Sequence, residues 1–473
     1  MPIAQPRPVV LIGLVVAALM IMLLLRPSEH PHAHESKSSV QHGTKSPELA
    51  HLHSDYRQAH GRSPPSNYNK WLMFAQEKGC RTHTSAYQQL YEDLGFFHEK
   101  GISDPASREA FVEAHSWMQM WSITTDGSVV GAVPHNPGIE RILKDVTHLL
   151  LPRKAPLHLA VSDSDHPTLV HVPDVDGQLW EAPFTDLPCF KRTFGSARPA
   201  DPTLAFIANG KSIMSQHAWF MERKNIISTN PPIPVISQSK LHCFNDILIP
   251  MNYHINSTLA DLTDKVSWEE KKPVLFWRGA TTGGGFTTTT PWRKFGRARA
   301  LEWEKKWRTA HPDRVFDAGA EEPPSLSNWT VDIGLSNIVQ SDQETEATIM
   351  QEYGLKKFVT SQKTMDFKYL LVLDGNGWPS RLQSYLHSNS VILYNGIFRD
   401  FFNWQLEPFV HYVPVRLDLS DLEERLQWLM DHEDEARQIN ENAKFLSRQV
   451  NRVENLQCYM GLFLLEYARL HDA

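Results

Sequence analysis

Cysteine is scarce in this 473-residue chain: Cys80, Cys189, Cys243 and Cys458 are the four, and no two stand in C-x-x-C spacing. That argues against zinc frameworks and leaves two disulfides or buried free thiols both open. An excess of positive charge is also lacking, because 47 Lys and Arg face 54 Asp and Glu for a net charge of −7. A general nucleic-acid binder needs the opposite balance. No repeat with a period of about 20–50 residues is visible, which argues against solenoids and propellers. What is present is an ordinary globular composition, 41% hydrophobic and 21% charged, over a length that exceeds what one core usually serves.

The N-terminus departs from that composition. Val9–Leu25 is a 17-residue uncharged apolar run between Arg7 and Arg26, with no small-x-small cleavage site directly after it. It reads as an uncleaved transmembrane signal-anchor over 9–25 behind a cytosolic tail, 1–8, with a cleaved signal peptide as the competing reading. The flanking charges alone do not fix its orientation. Asn256-Ser257-Thr258 and Asn328-Trp329-Thr330 are glycosylation sequons and favour a luminal bulk. Residues 26–66, rich in His, Ser and Pro, read as a disordered stem in which His30, His32 and His34 are exposed rather than metal-bound. The ending Leu470-His471-Asp472-Ala473 is no KDEL-type signal. The expected residence is therefore the Golgi (or endoplasmic reticulum) membrane, as a single-pass type II protein.

The folded part divides at residue 245. In 67–245, Arg108–Trp121 and Ile139–Leu151 read as helices. Leu157–Val161 reads as a strand running into Ser162-Asp163-Ser164-Asp165-His166-Pro167. Carboxylates just past a strand's C-terminal end stand where open α/β sheets keep their sites. In 246–445, Val274–Trp277 is a buried strand leading into Arg278, Gly279 and Gly283–Gly285, and Pro291 opens a helix bearing Arg293 and Arg297. Lys368–Asn395 then reads strand–loop–helix–strand, with Asp374-Gly375-Asn376-Gly377 as the turn and Ser380 and Arg381 in the first helical turn. Such a turn lets a phosphate approach the backbone, and Arg binds a diphosphate through paired hydrogen bonds. An ordinary connection with a solvated arginine has the same spacing. Ser420 and Glu423 form a capping box. The last segment, 446–473, is a helix whose apolar face is expected to pack back across both domains. Two Gly-bearing turns, two arginines and a carboxylate from another region together suggest a nucleotide-diphosphate ligand and base chemistry.

Three motifs make a resemblance specific. Phe276-Trp277-Arg278-Gly279, Lys368-Tyr369-Leu370 followed by Arg381, and Glu407–Val415 with Asp418-Leu419-Ser420-Asp421-Leu422 are similar to family 90 glycosyltransferases. That family includes the fungal capsule-associated β-xylosyltransferases and the animal protein O-glucosyltransferases. The resemblance runs from about Val235 to Tyr467 and implies an α/β, GT-B-like fold of two Rossmann-type domains. It also implies a UDP-sugar donor and inversion at the anomeric carbon. By matching positions, Arg278 and Arg381 would bind donor phosphates, with Gly279, Gly377 and Ser380 lining the same pocket. Asp165 would be the general base in Asp165-His166-Pro167, where His166 replaces the usual Tyr; an acceptor-orienting group and a plain loop histidine are both open for His166. The family comparison also pairs Cys80 with Cys458, stapling the last helix to the first domain.

No cofactor is required on this reading, although a divalent cation (Mn or Mg) can accompany UDP itself. The partners are a UDP-sugar, a glycan or protein acceptor and the membrane, with no nucleic acid. Xylose and glucose are both open as the donor sugar. Two other readings stand beside it. One is a non-catalytic luminal carbohydrate-binding protein of the same fold; the other is a metal-dependent GT-A transferase using Asp163 and Asp165 as a D-x-D motif, a pattern that Asp174-Val175-Asp176 repeats.

Overall fold

Short apolar runs alternating with amphipathic helices resolve into two five-stranded sheets. The computed structural model describes residues 47–131, 137–173, 175–179, 184–222, 224, 226–251, 254–255, 263–314, 316 and 329–472. The expected anchor Val9–Leu25, the stem histidines, Asp174 and both sequon asparagines, Asn256 and Asn328, lie outside those residues. Among the described residues no helix is long and apolar enough to cross a membrane.

The first half runs α1 (Pro47–His60), α2 (Tyr68–Glu77), α3 (Gln88–Lys100), α4 (Pro105–Ala114), β1 (Met118–Ile123), β2 (Val129–Val130), α5 (Pro137–Val146), β3 (Leu157–Ser162), β4 (Val235–Ser237) and β5 (Ile247–Leu248). Its sheet has the order β2-β1-β3-β4-β5. Strand β1 is antiparallel to β2 and β3, whereas β3, β4 and β5 are parallel. A Rossmann-type sheet is expected here; the observed one is mixed. The cause is β1, which the sequence reading assigns to a helix over Arg108–Trp121. The helix stops at Ala114, and Met118–Ile123 pairs along its whole length with β3, setting Trp121 opposite Leu159. Long-range pairing overrides local propensity here. The expected boundary at 245 also moves, because β5 still belongs to the first sheet.

The second half runs β6 (Lys272–Ala280), α6 (Gly296–Ala310), β7 (Thr330–Asn337), α7 (Gln343–Glu352), β8 (Phe367–Leu373), α8 (Arg381–Leu386), β9 (Val391–Asn395), β10 (Val413–Pro414), α9 (Leu422–Asp431), α10 (Glu433–Val450) and α11 (Val453–His471). All pairs are parallel in the order β7-β6-β8-β9-β10. Six of the seven β8 residues are buried, as befits a strand with helices on both faces. The order reverses between β6 and β8, and the crevice beyond the C-terminal ends of such strands is where open sheets bind ligands.

Three local expectations change. The capping box at Ser420 and Glu423 is not made; Asp421 flanks α9 and its carboxylate instead accepts the Arg416 N–H at 2.9 Å. Helix α11 is buried nearly all round rather than on one face, and it packs chiefly on α5, α2 and α3 of the first half. Residues 47–60, expected in the stem, form α1. Tyr56 of that helix is fully buried, and its hydroxyl donates to the buried carboxylate of Glu466 on α11 at 2.6 Å. Two disulfides, Cys80–Cys458 and Cys189–Cys243, leave no free cysteine.

Candidate active site

The C-terminal ends of β3, β4, β6 and β8 meet at one cleft. A cavity of about 250 Å³ lies there, lined by Asp165, Gln238, Ser239, Thr282, Arg297, Gly375, Asn376, Gly377, Trp378, Pro379, Ser380 and Arg381. A second cavity of about 320 Å³ shares Ser380 and Arg381 with it and continues past Phe276, Arg278, Gly279, Phe358, Ser361 and Tyr385.

The turn between β8 and α8 is the hinge of this arrangement. The Asn376 side-chain oxygen accepts the Gly283 N–H at 3.0 Å, and its amide nitrogen lies 3.4 Å from Asp165 Oδ2. One amide therefore joins the two Gly-bearing loops to the carboxylate from the other sheet. Both flanks are tight, and at Gly377 the neighbour is backbone. A Cβ at Gly377 would lie 2.2 Å from the Asp165 carbonyl oxygen, and one at Gly375 would lie 2.9 Å from Arg297 Nη2. Asp374 faces away from the cavity. It is buried, and its carboxylate accepts the Ile397 N–H at 2.6 Å, pinning the loop after β9.

The two arginines expected together behave differently. Arg381 reaches back to donate to the Arg278 carbonyl, so the two residues are neighbours. The Arg278 guanidinium, however, is turned over the Phe276 ring and onto Asp332, with Nη2 2.7 Å from Oδ2 and Nε 3.2 Å from the Lys357 carbonyl. Burial opposes the charge of Asp332, but Lys356 and Arg278 outweigh it and hold that carboxyl below its ordinary range. Arg278 thus flanks the second cavity with its charge already met, and does not line the cavity that holds Asp165.

Arg297, rather than Arg278, lines the first cavity together with Arg381 and Asp165. Its Nη1 donates to the Ala280 carbonyl at 2.8 Å and its Nε to the Asp374 carbonyl at 3.1 Å, bracing the ends of β6 and β8. Burial first, and then the charge of Arg381, push Arg297 down to about 9. Among the described residues no ion pair joins Arg297 or Arg381 to a carboxylate, in contrast to Arg278 with Asp332. The Asp374 charge offsets part of that at Arg297, and two guanidinium groups without a direct carboxylate contact among the described residues, in a low-dielectric cleft, favour a multiply charged anion. In the sequence nothing separates Arg297 from Arg293 on the same basic stretch. Yet Arg293 is more exposed and pairs with Glu352 at 2.6 Å. The break between a single 3₁₀ turn, Trp292–Lys294, and α6 aims the two apart.

The other expected residues fall as follows. Gly377 and Ser380 line the first cavity, and Ser380 also lines the second. Gly279 lines the second, and a Cβ there would lie 2.6 Å from the Trp277 ring, so packing already demands glycine. Asp165 is exposed at the cleft. His166 does not line the cavity: its ring meets the Asn376 backbone, and burial followed by the Lys224 charge pushes the imidazole down to about 4. It is thus a neutral group packed under the turn rather than one facing an acceptor. Asp163 is exposed, does not line the cavity, and its N–H donates to the Trp117 carbonyl at 2.9 Å. Among the described residues no group of three or more His, Cys, Asp or Glu side chains is arranged to hold a metal. Gln238, Ser239, Thr282, Arg297, Gly375, Asn376, Trp378 and Pro379 are the lining residues that sequence reasoning does not pick out as site residues.

The glycosyl transferase family 90 model matches residues 324–473. The chain is 26% identical over 267 residues to protein O-glucosyltransferase 2 of Danio rerio, covering 53% of this chain and 46% of that protein. It is 26% identical over 251 residues to protein O-glucosyltransferase 3 of Homo sapiens, covering 53% and 45%. It is 32% identical over 242 residues to protein O-glucosyltransferase 1 of Homo sapiens, covering 50% and 58%. The chain thus spans about half the length of the curated relatives it matches. The family match takes in the strand, turn and helix that supply Asn376 and Arg381, and over that stretch the chain is similar to glycosyl transferase family 90.

Proposed function

We propose that this chain is an inverting glycosyltransferase that moves xylose or glucose from a UDP-sugar to a hydroxyl of a glycan or protein acceptor. The observation that carries the reading is that Arg297 and Arg381 line one cleft with the Asp165 carboxylate. The diphosphate lies against the two guanidinium groups and the Gly375–Gly377 turn. The nucleoside extends into the adjoining cavity, beside Phe276, Phe358 and Tyr385. Asp165 takes the proton of the acceptor hydroxyl as its oxygen attacks the anomeric carbon. The carbon–oxygen bond to the diphosphate breaks on the opposite face, and its electrons go to the departing UDP. Base action contributes about 10²–10⁴-fold. Arg297 and Arg381 stabilise the charge growing on the leaving diphosphate. Helix α8, with only six residues, adds little through its dipole.

The relatives' names favour glucose and a protein hydroxyl, and the motifs leave xylose open, so both donors belong in the assay. The reading needs no resident cofactor, and a Mn or Mg ion can accompany UDP. Val9–Leu25 serves as a signal-anchor that places the enzyme on the luminal side of a Golgi or endoplasmic reticulum membrane. UDP release from UDP-xylose and UDP-glucose tests the activity. The wild-type chain turns over in chelator, and Asp165→Asn loses about 10²-fold or more. UDP binding without release would instead mark a carbohydrate-binding protein, and loss of activity in chelator would favour metal held by Asp163 and Asp165.

A further inference from the structure

We infer that Asp246 is the positioning residue for the Asp165 base, its buried carboxylate fixing the loop on which Asp165 is carried. This rests on the reading of Asp165 as the base. Asp246 stands immediately before β5 and is fully buried. Its Oδ1 accepts the Thr168 N–H at 3.3 Å and the Ser237 hydroxyl, and its Oδ2 accepts the Leu169 N–H at 3.1 Å. Thr168 and Leu169 follow Asp165-His166-Pro167 directly, so the carboxylate grips the far end of the base loop. Ser237 closes β4, and two residues on the Ser239 hydroxyl donates to the Asp165 carbonyl at 3.1 Å. One buried group therefore ties together the two chain segments that frame the base.

The clamp is itself held. Lys240 Nζ donates to the Asp246 carbonyl at 2.9 Å and pairs with the buried Asp93. Asp246 does not line the cleft and acts only through the loop. A carboxylate is acceptor-only when ionised, which suits three converging donors. A base must be held within about 0.5 Å of its working position, and a displacement of about 1 Å costs roughly 10²-fold in rate.

Asp246→Asn keeps the shape but turns one acceptor into a donor that faces another donor. The expected result is a kcat lowered roughly 10- to 100-fold, with the donor KM and the UDP affinity unchanged because Arg297 and Arg381 are untouched. A variant whose unfolding midpoint drops while kcat of the folded protein stays at the wild-type value overturns the proposal. Ser237→Ala, which removes one donor and leaves the charge, covers the case in which Asp246→Asn fails to fold. A smaller fall in kcat at constant donor KM supports the clamp, and an unchanged kcat overturns it. Amide exchange separates this proposal from the reading beneath it. Faster exchange at Thr168 and Leu169 in the variant, in a wild-type chain that turns over, supports positioning of the base. A wild-type chain that binds UDP without turnover removes the base reading, and the positioning role falls with it even where the clamp is seen.

Discussion

Gly377→Ala tests how closely the turn after β8 must sit against the base. The added Cβ would lie 2.2 Å from the Asp165 carbonyl oxygen and 2.7 Å from Ser239 Oγ. A hydroxyl can rotate away, but a backbone carbonyl cannot. Ordinary contact therefore demands that the base loop or the turn retreat by about 1 Å, since packed interiors have no slack to absorb it. Overpacking of this kind costs about 1–3 kcal/mol of stability. A retreat of that size also breaks the Asn376–Asp165 contact, already 3.4 Å long, and lowers turnover by roughly 10²-fold. The assay is steady-state UDP release, with UDP binding and the thermal midpoint measured alongside. Gly375→Ala is the graded comparison: its Cβ would meet a side-chain atom, Arg297 Nη2, at 2.9 Å and Thr282 Oγ1 at 3.3 Å rather than backbone, so its effect is smaller and falls on donor KM. Gly95→Ala, in α3 with nothing within 4 Å, leaves activity unchanged and stabilises the helix by about 0.5–1 kcal/mol. A Gly377→Ala enzyme with wild-type kcat and KM would refute the reasoning, because the turn would then not be pressed against the base.

Arg297→Lys loses the fork that braces the ends of β6 and β8, and donor binding weakens by about 1.5–3 kcal/mol; Arg293→Lys, measured in the same titration, leaves it unchanged. Cys458→Ser opens the Cys80 bridge and lowers the denaturant-derived stability by about 2–5 kcal/mol. Stability also falls as the solution is acidified from about pH 6.5 towards 4. Burial is the leading cause that pushes His60, His98 and His166 down to about 4 and His471 to about 3. The unfolded chain then takes up protons that the folded one refuses. His98→Gln flattens that slope in pH-dependent melting curves, whereas an unaltered slope would show that His98 is not held neutral.

Much of the second half was legible because its physics is local. Tyr369–Leu373 is an uninterrupted apolar run of strand length, Asp374–Gly377 can only be a turn, and both survive in the structure with β8 starting two residues earlier. The first half was less legible because its pairing is not local: nothing within Met118–Ile123 announces that β3, some 30 residues on, will draw it into a sheet. Helix α1 was hidden by its own polarity, since Tyr56 is the one fully buried apolar side chain among its described residues, with Leu52, His53 and His60 adding partly buried contacts. At the site, Asp165 and Arg381 stood out by their place after a strand and a turn. Arg297 did not, because the choice between it and Arg278 depends on which side chain Asp332 neutralises, and that carboxylate arrives from a different strand.

Helix α11 has a consequence for how the chain is made. It supplies the inner wall against which α2, α3 and α5 pack, although it follows both sheets in the chain. The N-terminal half therefore emerges from the ribosome with its apolar surface uncovered, and it must wait through the whole of the second half before that surface is closed. The rule that domains mature one after another during translation is inverted. Until α11 is added, that surface is the one expected to aggregate.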